Sequence, residues 1–335
     1  MITTSVSKAA EYLRSGRLVA FPTETVYGLG ADATNPQAVA AVFAAKNRPS
    51  FDPLIVHIAD RTALASIVTA MPEAASRLAD RFWPGPLTLV LPRTSRIPDL
   101  VTAGLEGVGV RIPRHPVAME LLKAAGCPVA APSANPFGGI SPTTAQHVED
   151  SLGHAVDLVL DGGPCQVGVE STVVSFMSET PCLLRPGGCS IEEIEAVIGP
   201  VPCAVSNPNL DDAAQPAPGM LSRHYAPRTP LRLVDYNSLA IPEAGRQCGL
   251  LTEGTRKHAD GFARTEILAP TSDNAACAAG FFAALRRLDA ANLDVIIAHR
   301  FQPVGLGIAL NDRLQRAAAE HRNDSPAGPS DNISR

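Results

Sequence analysis

Short apolar runs recur along the first 200 residues and dictate what this part of the chain can become. Leu18–Phe21, Leu54–Ile58, Leu87–Leu91, Val108–Ile112, Val129–Ala131, Leu158–Leu160 and Thr172–Phe176 are each three to five residues long and carry β-branched side chains. Helical patterns separate several of these strand-like runs. Asn35-Pro36 reads as a helix cap followed by proline in the first turn, and Val39, Val42, Phe43 and Lys46 follow at helical spacing. Ser190 and Glu193 form a capping box ahead of Ile194 and Val197. Strands alternating with helices predict an α/β domain with a mixed sheet over residues 1–200.

The pattern breaks at residues 201–230, where Pro, Asn and Asp dominate. This stretch reads as a linker with no core of its own, and a linker of that length is either floppy or functional. From Leu231 the alternation resumes. Strands are predicted at Leu231–Val234, Gly249–Leu251, Glu266–Leu268 and Asp294–Ala298, and helices at Asn274–Asp289 and Gly305–Glu320. Residues 231–322 are thus expected to form a smaller α/β domain with a parallel sheet, and the tail 323–335 to be disordered.

Charge narrows the function classes. Residues 1–200 hold 14 Lys/Arg against 19 Asp/Glu, and the whole chain carries a net charge of −5 with 4% aromatic residues. A protein living on nucleic acid through phosphate neutralisation should show a positive excess, and base-stacking platforms are scarce. No stable nucleic-acid binding is therefore expected. No apolar run approaches the roughly 18–20 residues of a membrane span, and the N-terminal segment has no stretch that fits a secretory signal. A soluble cytoplasmic protein is expected. The seven cysteines (127, 165, 182, 189, 203, 248 and 277) show no C-x-x-C spacing and read mostly as small buried apolar residues.

Familiar catalytic signatures are missing. There is no Walker phosphate loop, no G-x-G-x-x-G, no G-x-S-x-G and no H-E-x-x-H, and Ser5–Lys8 matches S-x-x-K only nominally, inside a predicted surface helix. Polar residues instead crowd the loops after apolar strands, where α/β proteins place their sites. Lys46 and Arg48 close a helix, which dipole complementarity alone would explain. Held beside a strand edge by Pro49, they also suit a polyphosphate. Arg111 interrupts an apolar strand, so it either pairs with a structural carboxylate or binds an anionic ligand. Arg185 poses the same question beside two glycines. Ser133, Asn135, Ser141, Ser171 and Thr172 are turn-formers singly; together they supply many neutral donors with no nucleophile–base pair. His57 alone reads as a satisfied core histidine. Such an inventory favours positioning and charge stabilisation over covalent catalysis.

The segments FPTETVYGLG, KNRPSFDPLIVHI, WPGPLTLVL, VGVRIPRHP, APSANPFGGISPTT, GVESTVV and LLRPGG, in this order, resemble the YrdC-type threonylcarbamoyl-AMP synthases. APGMLSRHYAPRTP and GLGIALNDRLQRAA resemble the long form of that family, in which a linker joins the catalytic domain to a Rossmann-like C-terminal domain. The resemblance implies a twisted open sheet with a concave, locally positive cleft. It implies that L-threonine, bicarbonate and ATP become threonylcarbamoyl-AMP and diphosphate, a nucleotidyl transfer assisted by Mg2+. The product would serve N6-threonylcarbamoyladenosine formation at tRNA position 37, through a separate tRNA threonylcarbamoyl transferase.

Carried over motif by motif, the resemblance implies that Thr25, His57, Arg111, the Ala131 backbone and Ser171 contact threonine. Lys46, Arg48, Asp52, Ser133, Ser141 and Arg185 would line the ATP site, with Lys46 and Arg48 catalytic and Tyr225 closing over the nucleotide as part of a lid. Asp52 stands where many relatives have asparagine; a carboxylate near phosphates is unfavourable unless it points away or reaches the metal, whose ligands the sequence leaves open. An RNA-binding module and a carbamoyltransferase are the rival readings. Guanidinium groups buried against structural acids with no cavity between them would remove the basis for the synthase reading.

Overall fold

The computed structural model describes residues 1–204, 214–254 and 256–319. The expected disordered tail and residues 205–213 of the linker lie outside the described residues. Ten strands build the first sheet: β1 (Ile2–Thr3), β2 (Val19–Phe21), β3 (Gly28–Asp32), β4 (Ile55–His57), β5 (Leu87–Pro92), β6 (Gly107–Arg111), β7 (Val129–Ala130), β8 (Leu158–Leu160), β9 (Thr172–Ser175) and β10 (Cys182–Arg185). Their spatial order is β1-β8-β2-β3-β7-β4-β6-β5-β9-β10. The sheet is mixed, as expected: β4 runs parallel to β6 and β5 parallel to β9, while β3–β7 and β5–β6 are antiparallel.

Helices α1 (Val6–Arg14), α2 (Pro36–Lys46), α3 (Glu73–Phe82), α4 (Asp99–Thr102), α5 (Pro116–Ala125), α6 (Ala145–Leu152) and α7 (Ile191–Ile198) pack against it. The capping signals do what their chemistry dictates. The Asn35 side chain accepts from the Gln37 and Ala38 amides, and the Ser190–Glu193 box makes both of its bonds. Ser5 caps α1 through the Lys8 amide, which accounts for the S-x-x-K pattern as helix chemistry.

β3 is a strand that the apolar pattern does not reveal. Its glycines and flanking polar residues read as a loop, yet it pairs with β2 on one side and β7 on the other. Close packing explains the composition: a Cβ on Gly30 would stand 2.8 Å from both Phe21 and Val129.

The second sheet is fully parallel, in the order β11-β14-β12-β13, from β11 (Leu231–Val234), β12 (Cys248–Thr252), β13 (Arg264–Ile267) and β14 (Val295–His299). Helices α8 (Asn274–Asp289) and α9 (Leu306–Ala317) accompany it. The two sheets are not independent bodies joined by a tether. One apolar cluster contains Val26, Ile140 and Val169 of the first domain, Tyr225 of the linker, and Phe281 and Phe282 of α8. The linker's described part lacks a core of its own, as expected, but borrows both neighbours': Ala217, Leu221 and Tyr225 are buried. All seven cysteines are free thiols. Among the described residues no helix is long and apolar enough to cross a membrane.

Candidate active site

Two strand ends and one loop build the first half of the site. The loop after β2 folds on itself: Thr23 Oγ1 lies 2.8 Å from Thr25 Oγ1 and donates to the Val26 carbonyl. Thr25 is thereby fixed, and its hydroxyl accepts from Arg111 Nη1 at 2.9 Å. Arg111 ends β6, and His57 is its register partner on β4. The guanidinium is over-determined, with Nε donating to the Gly85 carbonyl and Nη2 standing 2.8 Å from Glu24 Oε1. The Arg111 alternatives therefore resolve on the protein side as a buried ion pair with Glu24, which leaves further N–H groups of the fork for a ligand. Burial pushes His57 down to about 3, with the charge of Arg111 adding to the shift, so the imidazole is neutral.

The second half collects cations. α2 ends on Asn47 in the left-handed conformation (φ 51°), which turns the chain so that Lys46 and Arg48 both point inward. Lys46 Nζ donates to the carbonyls of Ser133 and Asn135. Burial pushes its pKa well below the usual lysine value, the neighbouring Arg48 adds to that, and Asp52 opposes it. Arg48 donates to the Asp52 and Pro53 carbonyls and pairs with Asp52 Oδ2 at 2.9 Å. Arg185, at the end of β10, grips Ser171 through its carbonyl and hydroxyl, and the Ser171 hydroxyl lies 2.8 Å from that of Thr88.

The linker covers both halves. Ala217 packs against Val90 and Val173, and the Pro218 carbonyl accepts from Arg185 Nη1. Gly219 turns with φ +79°, and a Cβ there would stand 2.4 Å from Tyr225 Oη, so any side chain would strain the backbone and displace that hydroxyl. Tyr225 itself holds a left-handed φ of 60°, unusual for a bulky residue. Its ring lies against His224 and Phe282, and its hydroxyl has no hydrogen-bond partner among the described residues.

Between these walls lies a cavity that is partly open to solvent. Thr25, Arg48, His57, Arg111, Ala131, Ser133, Ser171, Arg185 and Tyr225 all reach it. Lys46, Asp52 and Ser141 do not; they stand one layer behind. Asp52 serves Arg48, and the Ser141 hydroxyl donates to Glu170 Oε1 at 2.5 Å. Expected to line an ATP site, Lys46, Asp52 and Ser141 instead contact the Ser133 and Asn135 carbonyls, Arg48 and Glu170 respectively, while Asp52 Oδ1 has no hydrogen-bond partner among the described residues. His57 is more than a satisfied core histidine, since its ring lies on the cavity wall. Guanidinium groups do meet structural acids at Arg48 and Arg111, yet the space between them is open.

Sequence reasoning missed Glu24, Glu170 and His224. For Glu24 the signal was an arginine in an apolar strand, which calls for either a structural carboxylate or an anionic ligand; Glu170 and His224, both on the cavity wall, carried no role in the sequence reading. Among the described residues no group of three His, Cys, Asp or Glu side chains gathers to hold a metal.

A family profile for Sua5, YciO and YrdC proteins, described as "Telomere recombination", matches residues 11–187, and one described as "Threonylcarbamoyl-AMP synthase, C-terminal domain" matches residues 189–319. The threonylcarbamoyl-AMP synthase of Bacillus subtilis is 44% identical over 322 residues, covering 93% of this chain and 92% of that protein. The corresponding protein of Pyrococcus abyssi is 42% identical over 323 residues, covering 92% and 93%. The crystal structure of P. abyssi Sua5 complexed with L-threonine superposes with a TM-score of 0.85 at 40% identity, covering 93% of this chain and 94% of that one.

Proposed function

The chain belongs to the Sua5/YciO/YrdC family, in the long form with the threonylcarbamoyl-AMP synthase C-terminal domain, and on that premise we propose that it joins L-threonine, bicarbonate and ATP into threonylcarbamoyl-AMP with release of diphosphate. The observation that carries the reading is the single cavity wall shared by neutral His57, paired Arg111 and Thr25 on one side and by Arg48, Ser133 and Arg185 on the other. An amino acid and a polyphosphate fit the two ends.

Threonine's carboxylate would meet the free N–H groups of Arg111, with Thr25, the Ala131 backbone and Ser171 around it. Bicarbonate loses hydroxide to give carbon dioxide, and that hydroxide takes the ammonium proton of threonine and leaves as water. The freed amine adds to the carbon dioxide with release of one proton to solvent; His57, neutral, places no positive charge beside the amine. The resulting carbamate oxygen attacks the α-phosphorus; the bond to the β-phosphate oxygen breaks, and diphosphate leaves. Neither step needs a protein nucleophile. The chain's own work is to hold the two reactants in line, to exclude water from a labile carbamate, and to offset the developing charge with Arg48 and Arg185. Lys46 fixes the carbonyls that shape the Ser133 wall. Tyr225 and the covering linker shut the nucleotide end.

ATP would arrive as its magnesium complex, in which the metal neutralises phosphate charge. Magnesium keeps several waters and takes few protein ligands, which suits a wall whose carboxylate, Glu170, is already paired with an arginine. The product would pass to a transferase acting on tRNA. The RNA-binding alternative is not favoured: Arg48, Arg111 and Arg185 are 3 to 7% exposed and enclose a cavity instead of lining an open surface.

Labelled bicarbonate tests the reading. Incubation with threonine and ATP should place the label in an adenylate that separates from ATP by chromatography and disappears when threonine is omitted. Label absent from every nucleotide species would refute it.

A further inference from the structure

Arg313 is one of the largest fully buried side chains among the described residues. It belongs to α9 in the second domain, yet its guanidinium reaches the wall of the first domain's cavity. Nε donates to Glu170 Oε2 at 3.1 Å, Nη1 donates to the Pro186 carbonyl at 2.6 Å and to Asp312 Oδ2 at 2.8 Å, and its guanidinium carbon stands 5.2 Å from the centre of the Tyr225 ring. Glu170 divides its two oxygens: Oε2 takes Arg313, and Oε1 takes the Ser141 hydroxyl. From α8, Arg286 donates to the Ser141 and Ile140 carbonyls. Ser141 is therefore held by its backbone from one helix and, through Glu170, by its side chain from the other.

Domain docking alone does not call for this arrangement. Ile140 and Val169 already pack into the apolar cluster around Phe281 and Phe282, and a buried arginine adds a desolvation cost that an apolar residue at an interface would avoid. The feature that does call for it is Glu170, a carboxylate on the wall of a cavity otherwise lined by Arg48, Arg111 and Arg185. Unpaired, it would repel any anion placed there.

We propose that Arg313 is a positioning residue of the nucleotide site. By offsetting the charge of Glu170 and fixing it on Ser141, it turns a cavity-facing carboxylate into a neutral support, so that the second domain sets the first domain's affinity for phosphates. The inference rests on the synthase reading for the identity of the anion.

Calorimetric titration with ATP measures the effect without relying on turnover. Arg313→Gln should weaken ATP binding about tenfold, within the usual range for coupled neighbours. Adding Glu170→Gln should restore it to within about threefold of the unaltered protein, because the exposed charge is gone. Arg313→Lys, which keeps the positive charge, should bind ATP within about threefold of the unaltered protein. Three results would overturn the proposal: unchanged ATP affinity in Arg313→Gln, a double variant as weak as the single, or a tenfold loss in Arg313→Lys. If the unaltered protein binds no ATP, the synthase reading itself fails, and this inference with it.

Discussion

His57 and Arg111 are direct register partners on adjacent parallel strands, so a buried imidazole sits beside a permanent positive charge. Burial first, and that charge second, push His57 down to about 3. An unfolded histidine takes up its proton near pH 6.5. Folding therefore becomes less favourable as pH falls from about 6.5 toward 3, by roughly 1.4 kcal/mol per unit for such a group. His147, pushed down to about 4 mainly by burial, acts in the same direction. Melting temperature should fall between pH 7.5 and 5, and His57→Gln should flatten that slope. Equal slopes in the two proteins would show that His57 ionises in the fold.

Arg111 has a structural partner and a proposed ligand, and the two roles separate by substitution. Arg111→Ala leaves Glu24 charged and unpaired in the interior, a loss of about 3–5 kcal/mol. Adding Glu24→Gln should recover much of that stability in thermal melts. It should not recover the threonine KM, expected to rise more than about tenfold on loss of a bidentate charged contact. A double variant with a normal threonine KM would confine Arg111 to the ion pair.

Asp52 touches Arg48 and not the cavity. Asp52→Asn leaves Arg48 its two carbonyl partners, so the ATP KM should change less than about threefold while stability drops by about 1–3 kcal/mol. A fall in kcat of a hundredfold, with ATP binding intact, would instead make Asp52 part of the chemistry.

Much of this was legible because apolar runs and caps are local signals. Strands such as Leu158–Leu160 and Leu231–Val234 and the helix Asn274–Asp289 fall where their patterns place them. β3 was not legible, since its glycines answer to Phe21 and Val129 on neighbouring strands and carry no apolar pattern themselves. The site divides the same way. Arg111 stood out because an arginine in an apolar strand violates the strand's own logic, and one of its two expected partners, a structural carboxylate, exists in Glu24. Glu170, Arg286 and Arg313 left no such mark: their meaning lies in contacts across more than a hundred residues of chain, and each looks ordinary beside its own neighbours.

Tyr225 tests the lid. Its hydroxyl has no partner among the described residues, so Tyr225→Phe should leave the melting temperature nearly unchanged. The ATP KM should rise several-fold if that hydroxyl meets the nucleotide. Gly219→Ala should be worse on both counts, because it meets a left-handed φ and the Tyr225 hydroxyl at once; a stability loss of about 1–2 kcal/mol is expected. A Gly219→Ala protein with normal melting and normal kinetics would show that the linker does not hold Tyr225 over the site.

Diphosphate release from ATP, followed with threonine and bicarbonate supplied together and each withheld in turn, probes the shared cavity most directly. Release should require both co-substrates and match the amount of carbamoylated adenylate formed. Diphosphate appearing at full rate without threonine, or none appearing when all three are present, would contradict the account.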